Sequence, residues 1–392
     1  MKRPTRALAA ATVAASVGAL LIGTDGASAS SAEPAANCAL PATKADLSEG
    51  ITGAGPFVPS KGTVKTTMVF VDFPDAPADD TTGELYNKLV PGATDWFRTS
   101  SYGQLSLKVK ADTSRFYRMP RKSTDYHFQR DLTTAEHRRY ITDALRAVGR
   151  STSFRGTQVL YIVPTGAAEA VSFSPTYMDN VTSGDGTVIG KTVTFGQDLN
   201  HWGPTVLNHE TGHAMGLPDL YSYASGGSGH PYVGGWDQMG LISGHSPDRL
   251  AWHKWKQGWL RPNQVGCLSR PGTSTEVLTP VERAGGKKMA VVKTSGTRAV
   301  VAEVRSREGV DSKACATGVL IYTVDTTVDS GSGPILVQDA RPNSGGCDGS
   351  ELNDATYGHG GDAVTHFRDP ASGATVDVTA KHGSAFTLTV RR

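Results

Sequence analysis

The rhythm of apolar positions changes partway along the chain. Thr66-Thr67-Met68-Val69-Phe70-Val71 and Val159-Leu160-Tyr161-Ile162-Val163 are apolar, β-rich runs of strand length, suited to buried strands. Leu105-Ser106-Leu107-Lys108-Val109 alternates between apolar and polar, as a half-buried strand does. Helical stretches are predicted around residues 84–100 and 133–149. Strands and helices thus alternate through the first half, which predicts an α/β layer. Beyond Cys267, short apolar runs at 290–292, 299–302, 318–322, 334–337 and 386–390 are separated by Gly, Ser, Asn and Asp turns. With no long helical period among them, they predict an antiparallel sandwich or barrel. The expected organisation is therefore an α/β (α+β) domain over 63–264 and a β-sandwich-like C-terminal domain over 265–392.

The first residues break this pattern. Lys2, Arg3 and Arg6 precede an apolar run over 7–23 and the small triplet Ala27-Ser28-Ala29. This is the basic, apolar, cleavable order of a secretory signal peptide, assigned to 1–29. The run is rich in Ala and Thr and falls short of the roughly 20 residues of a robust membrane span. Residues 30–62, rich in Ser, Ala, Gly and Pro, are expected to be a leader or short pro-segment. No later segment is apolar enough to span a membrane. The expected product is a secreted extracellular monomer without a membrane anchor.

Composition narrows the function classes. Hydrophobic residues make up 38% and charged residues 19% of the 392, as in a folded soluble protein. The formal charge of +2 falls to zero when the signal takes away three bases and the acid Asp25. A nucleic-acid partner is not expected, because no clustered basic face is indicated. The four cysteines, Cys38, Cys267, Cys315 and Cys347, lack zinc-knuckle spacing, and export favours oxidation. Of the three possible pairings, Cys315–Cys347 is favoured because both lie in the C-terminal region, leaving Cys38–Cys267. A rival reading, Cys38 as a thiolate plugging a latent metal site, would strand an unpaired cysteine.

Chemistry concentrates in His209-Glu210-Thr211-Gly212-His213. Pro204 suits a helix start and Gly216 a helix end, so two histidines four residues apart project from one face. Such a pair can bind one Zn²⁺, with Glu210 placed to take a proton from water. Asp219 falls at the third-ligand place of HExxHxxGxxH, with Asp replacing the last His, and a carboxylate is an acceptable zinc ligand. Met239 follows in Gly235-Trp236-Asp237-Gln238-Met239-Gly240, where a methionine turn is expected. Between Glu210 and Glu276 there is no glutamate to serve as a ligand on a later helix. Asp237 is a second-choice ligand.

The stretch HETGHAMGLPDLY at 209–221, followed by GGWDQMG at 234–240, resembles the immune inhibitor A family of secreted bacterial metalloproteases, relatives of the metzincins. Residues 69–75, 97–105, 246–259 and the β region containing Gly318-Val319-Leu320-Ile321-Tyr322 resemble further parts of that family. The likeness spans roughly residues 63–340. It implies a metzincin-like catalytic domain and endopeptidase activity on extracellular proteins or peptides. The tyrosine that often follows the methionine in metzincins is replaced by Gly240-Leu241-Ile242, which leaves Tyr221, Tyr223, Tyr232 and His245 as candidates to stabilise an oxyanion.

Other features have structural readings. Ser246, Pro247 and Asp248 are expected to open a helix that ends near Gly258. Trp252, Trp255 and Trp259 form a stripe expected in the core. Asp72, Asp75, Asp79 and Asp80 are read as an exposed polar loop, since they lack Ca²⁺-ligand spacing, and Ca²⁺ is unsupported. Two other readings are a secreted binding protein on a protease-like scaffold and a zinc hydrolase acting on a small-molecule amide or ester.

Overall fold

The computed structural model describes residues 33–52, 55–224 and 229–392. The expected signal peptide lies outside the described residues. The chain runs through β1 (Gly62–Asp72), α1 (Thr82–Ser100), β2 (Leu105–Ala111), β3 (Tyr117–Arg118), α2 (Thr134–Val148), β4 (Val159–Pro164) and β5 (Thr176–Tyr177). A small hairpin of β6 (Val181–Thr182) and β7 (Val188–Ile189) leads to β8 (Lys191–Thr194), α3 (Leu199–Trp202), α4 (Pro204–Ala214) and α5 (Ala251–Lys256). Then come β9 (Val265–Leu268), β10 (Thr273–Leu278), β11 (Met289–Lys293), β12 (Arg298–Arg305) and β13 (Gly318–Asp325). The last strands are β14 (Ile335–Val337), β15 (His366–Arg368), β16 (Thr375–His382) and β17 (Ala385–Arg391). The fold is α+β.

The first sheet has the order β2-β1-β4-β8-β5, with β3 pairing the end of β1. Its strands are parallel except β5, which runs antiparallel to β8 and forms an edge. Parallel strands need crossovers, and the helices supply them on both faces. Val64, Met68 and Phe70 of β1 pack with Leu85, Leu89 and Phe97 of α1 and with Val206 and Leu207 of α4. On the other face, Val69, Val71, Leu160 and Ile162 meet Tyr140, Ile141, Ala144, Leu145 and Val148 of α2. Burial on both faces is why these strands read as unbroken apolar runs. Both long helices start with a capping box, Thr81 with Glu84 and Thr133 with Glu136, which satisfies otherwise unpaired amides.

The second half builds two sheets, β10-β17-β16-β15 and β14-β13-β12-β11-β9. They face each other across Leu278, Val376, Phe386 and Leu388 on one side and Val292, Val300, Val304 and Ile321 on the other. The reverse face of the five-stranded sheet, carrying Val291, Val301, Leu320 and Tyr322, packs against Leu217, Trp236, Met239 and Trp252. One sheet therefore serves the sandwich and also backs the segments around residues 217–252. Disulfides join Cys38 to Cys267 (Cα–Cα 5.7 Å) and Cys315 to Cys347 (6.5 Å). Among the described residues, no helix is long and apolar enough to cross a membrane.

One expected element begins later than its sequence suggests. Helix α5 starts at Ala251, with Leu250 as its cap, instead of at Ser246-Pro247-Asp248. Asp248 is buried, and its carboxylate takes bonds from the Ser100 hydroxyl, the Arg249 amide (2.8 Å) and Lys254 Nζ (2.8 Å). Arg305 Nη2 donates to the Ser246 carbonyl at 3.1 Å. These buried tertiary bonds hold the three residues outside the helix, overriding the local capping signal. Trp252, Trp255 and Trp259 are buried. The acidic residues near 72–80 turn to separate partners: Asp72 to Arg118, Asp75 to Ser123, and Asp80 to Thr165 and Gly166.

Candidate metal centre and cleft

Helix α4 begins with Pro204 at N1 and ends before Gly216, whose φ of +90° only glycine adopts easily. That turn sends the chain back beneath the helix, so that Asp219 meets the two histidines. His209 Nε2 and His213 Nε2 lie 3.2 Å apart, and Asp219 Oδ1 lies 2.9 Å from the first and 3.3 Å from the second. All three side chains are buried.

The other ring nitrogens fix the tautomers. His209 Nδ1 is 2.8 Å from the Gln238 carbonyl, and His213 Nδ1 is 2.8 Å from the Leu217 carbonyl. A carbonyl only accepts, so each Nδ1 carries a proton, and each ring in its neutral form presents the Nε2 lone pair. Two lone pairs and a carboxylate oxygen therefore converge on one point. Such a donor set suits a cation, and its spacing is slightly tighter than the roughly 3.3–3.6 Å edges of a tetrahedron of ligands at zinc distances to nitrogen and oxygen. The field is already felt by His213: burial disfavours its charge, but Asp219 raises its pKa to about 9. Burial likewise pushes the Asp219 carboxyl up, and His213 and His209 outweigh it, leaving the pKa well below the usual carboxylate range.

Glu210 also brings a carboxylate oxygen within 4.8 Å of the imidazole donors. Its Oε2, however, accepts the Thr176 hydroxyl at 2.7 Å, and the same hydroxyl lies 2.8 Å from the Glu210 carbonyl. Burial raises its pKa against the pull of His213 and His209. Asp219 is thus the closer third donor, and Glu210 stands beside the set as a held carboxylate.

Met239 packs directly under α4. A Cβ placed on Gly212 would lie 2.8 Å from Met239 Sδ and 2.6 Å from Arg249 Nη2. Asp237, the alternative ligand, is turned away from the histidines. Its oxygens receive the Met239 amide (2.9 Å), the Leu250 amide (2.8 Å), Arg249 Nη1 (3.1 Å) and His253 Nδ1 (2.7 Å). Its role is to fix the turn that carries the Gln238 carbonyl to His209.

The oxyanion candidates separate by position. Tyr221 and Tyr223 line the same cleft as Glu210, His213 and Asp219. Tyr223 donates its hydroxyl to Asp219 Oδ2 at 2.5 Å, and the Tyr221 ring lies 6.2 Å from that of His209. Tyr232 reaches Ser222 at 3.4 Å, and His245 pairs with Asp348 at 2.6 Å, so neither is brought to the donor set. His245, Asp348 and Cys315 form a second grouping of donor atoms, but Cys315 is committed to its disulfide.

Several contributors carry no sequence signal. Thr176 comes from the edge strand β5, and Ser330 Oγ accepts the Asp219 amide at 2.9 Å from over a hundred residues away. The Gln238 and Leu217 carbonyls act through the backbone and are invisible as residue types. The cleft has a volume of about 920 Å³, within the range of ligand-binding pockets. In comparisons with models of known families and with curated proteins, nothing matches the chain.

Proposed function

We propose that the protein is a secreted zinc-dependent endopeptidase of metzincin type. The observation that carries this reading is the convergence of His209 Nε2, His213 Nε2 and Asp219 Oδ1 within 3.3 Å, with Glu210 beside them. The likeness of 209–221 and 234–240 to immune inhibitor A metalloproteases supports it. Zinc held by these three side chains would supply Lewis acidity to a water and to a substrate carbonyl.

The chain's own groups would do the remainder. Glu210, oriented by the Thr176 hydroxyl, accepts the proton that water loses as it attacks the scissile carbonyl. Glu210 then passes that proton to the leaving amine. Tyr223 occupies Asp219 Oδ2, which leaves Oδ1 free to face the histidines. The edge strand β5 lines the cleft, so an extended polypeptide can lie along it by strand addition. That favours protein and peptide substrates over a small amide or ester. The amino-terminal basic and apolar pattern and the two disulfides support secretion.

Casein hydrolysis with and without 1,10-phenanthroline tests the proposal. Loss of cleavage in the chelator and its return on adding stoichiometric zinc are expected. Cleavage that is indifferent to chelation, or none at all by the zinc-loaded protein, would sink it.

A further inference from the structure

The sequence of residues 30–62 reads as a leader, yet its described part is bonded into the molecule along its length. Cys38 is tied to Cys267, and Leu40 is fully buried with Trp236 and Trp252. The Asp46 amide donates to Asp329 Oδ1 at 2.8 Å, and the Asp46 carbonyl accepts from the Ser330 amide at 3.1 Å. Lys256 Nζ donates to the Ser48 carbonyl at 2.6 Å, and Trp252 Nε1 to the Glu49 carbonyl at 3.0 Å. The Val58 amide reaches the Ala214 carbonyl at the end of α4 at 2.9 Å.

Glu49 makes the segment costly to lose. It is fully buried, and its Oε1 meets His253 Nε2 at 2.8 Å. His253 Nδ1 meets Asp237, Asp237 accepts the Met239 amide, and the Gln238 carbonyl of that turn holds His209. A continuous line of buried polar contacts therefore runs from the amino-terminal segment to the first histidine. Removing Glu49 would take one of the two buried carboxylates from His253 and the carboxylate partner from Lys256, which is destabilising.

The same segment faces the cleft. Leu47, Pro56 and Phe57 line it together with Phe173, Thr176, Tyr221, Glu210 and His213. Phe57 keeps 36% of its surface exposed and lines the cleft. Its ring lies over Gly216, where a Cβ would come within 2.7 Å of it. A bulky apolar surface is thus held open next to His213.

We propose that the segment described by residues 33–52 and 55–60 remains in the active protein and lines the cleft, where Leu47 and Phe57 receive a bulky apolar side chain of the bound polypeptide. The proposal rests on the peptidase reading. It makes residues usually discarded with a leader the specificity-determining part of the site.

The test pairs intact mass and amino-terminal sequencing of the active secreted protein with digestion of a randomised synthetic peptide library, cut sites being read by mass spectrometry. The active protein should begin ahead of Glu33 and should favour Leu or Phe over Ala at one position flanking the cut by about tenfold, as expected for an apolar pocket. Phe57→Ala should lose that preference and Phe57→Leu keep most of it. Active material beginning beyond Val58, or a Phe57→Ala profile identical to the wild type, would overturn the proposal and leave the peptidase reading standing. A zinc-loaded wild-type protein that cuts no peptide would overturn both.

Discussion

At the residue scale, the donor set separates two aspartates that composition alone cannot. Asp219 has one oxygen at the histidine nitrogens and one on Tyr223, whereas Asp237 has both oxygens committed to the methionine-bearing turn and to Arg249 and His253. Asp219→Ala should therefore lower zinc affinity sharply. Asp237→Ala should keep zinc binding in whatever fraction folds, while lowering stability. Metal content per folded chain, measured after titration with a competing chelator, separates the two, and unchanged zinc in the Asp219 variant would remove it from the ligand set. The histidines, Glu210 and Asp219 were legible because their spacing in sequence is their spacing in space: two on one helix face, one on the turn that glycine permits. Thr176, Ser330 and Glu49 were not legible, because each reaches the site through tertiary placement alone.

At the scale of elements, helix α4 and the turn that carries Met239 behave as one packed unit. Gly212 sits where the helix backbone touches Met239 Sδ and the Arg249 guanidinium, closer than a side chain permits. Gly212→Ala, ordinarily favourable within a helix, should instead destabilise by about 1–3 kcal/mol through overpacking. Thermal unfolding measures the sign, and a raised melting temperature would contradict the packing described. The strands were readable because burial on both faces leaves an unbroken apolar run, as in β1, β4 and β13. Helix α5 was misplaced at its start for the opposite reason. Ser246-Pro247-Asp248 carries a good local capping signal, and buried partners in α1, α5 and β12 claim those groups first.

At the scale of the whole molecule, the amino-terminal segment, α5 and the methionine-bearing turn meet at His253. Burial opposes a charge on this imidazole, but Glu49 and Asp237 overcome it and raise the pKa to about 9, with Arg249 and Lys256 the neighbouring cations. The unfolded value is about 6.5. The stability contributed by the protonated ring is therefore complete below about pH 6.5 and declines as pH rises through about 9. Urea midpoints between those limits should fall with pH, and His253→Gln should flatten that part of the curve while lowering stability throughout. A His253→Gln protein with the wild-type pH dependence would contradict this. The account as a whole rests on Glu210 moving the proton beside a metal held by His209, His213 and Asp219. Its most direct test is Glu210→Gln, assayed for zinc content and casein turnover together. Full zinc occupancy with turnover reduced about 10²–10⁴-fold is predicted, and near-normal turnover by that variant would contradict the account.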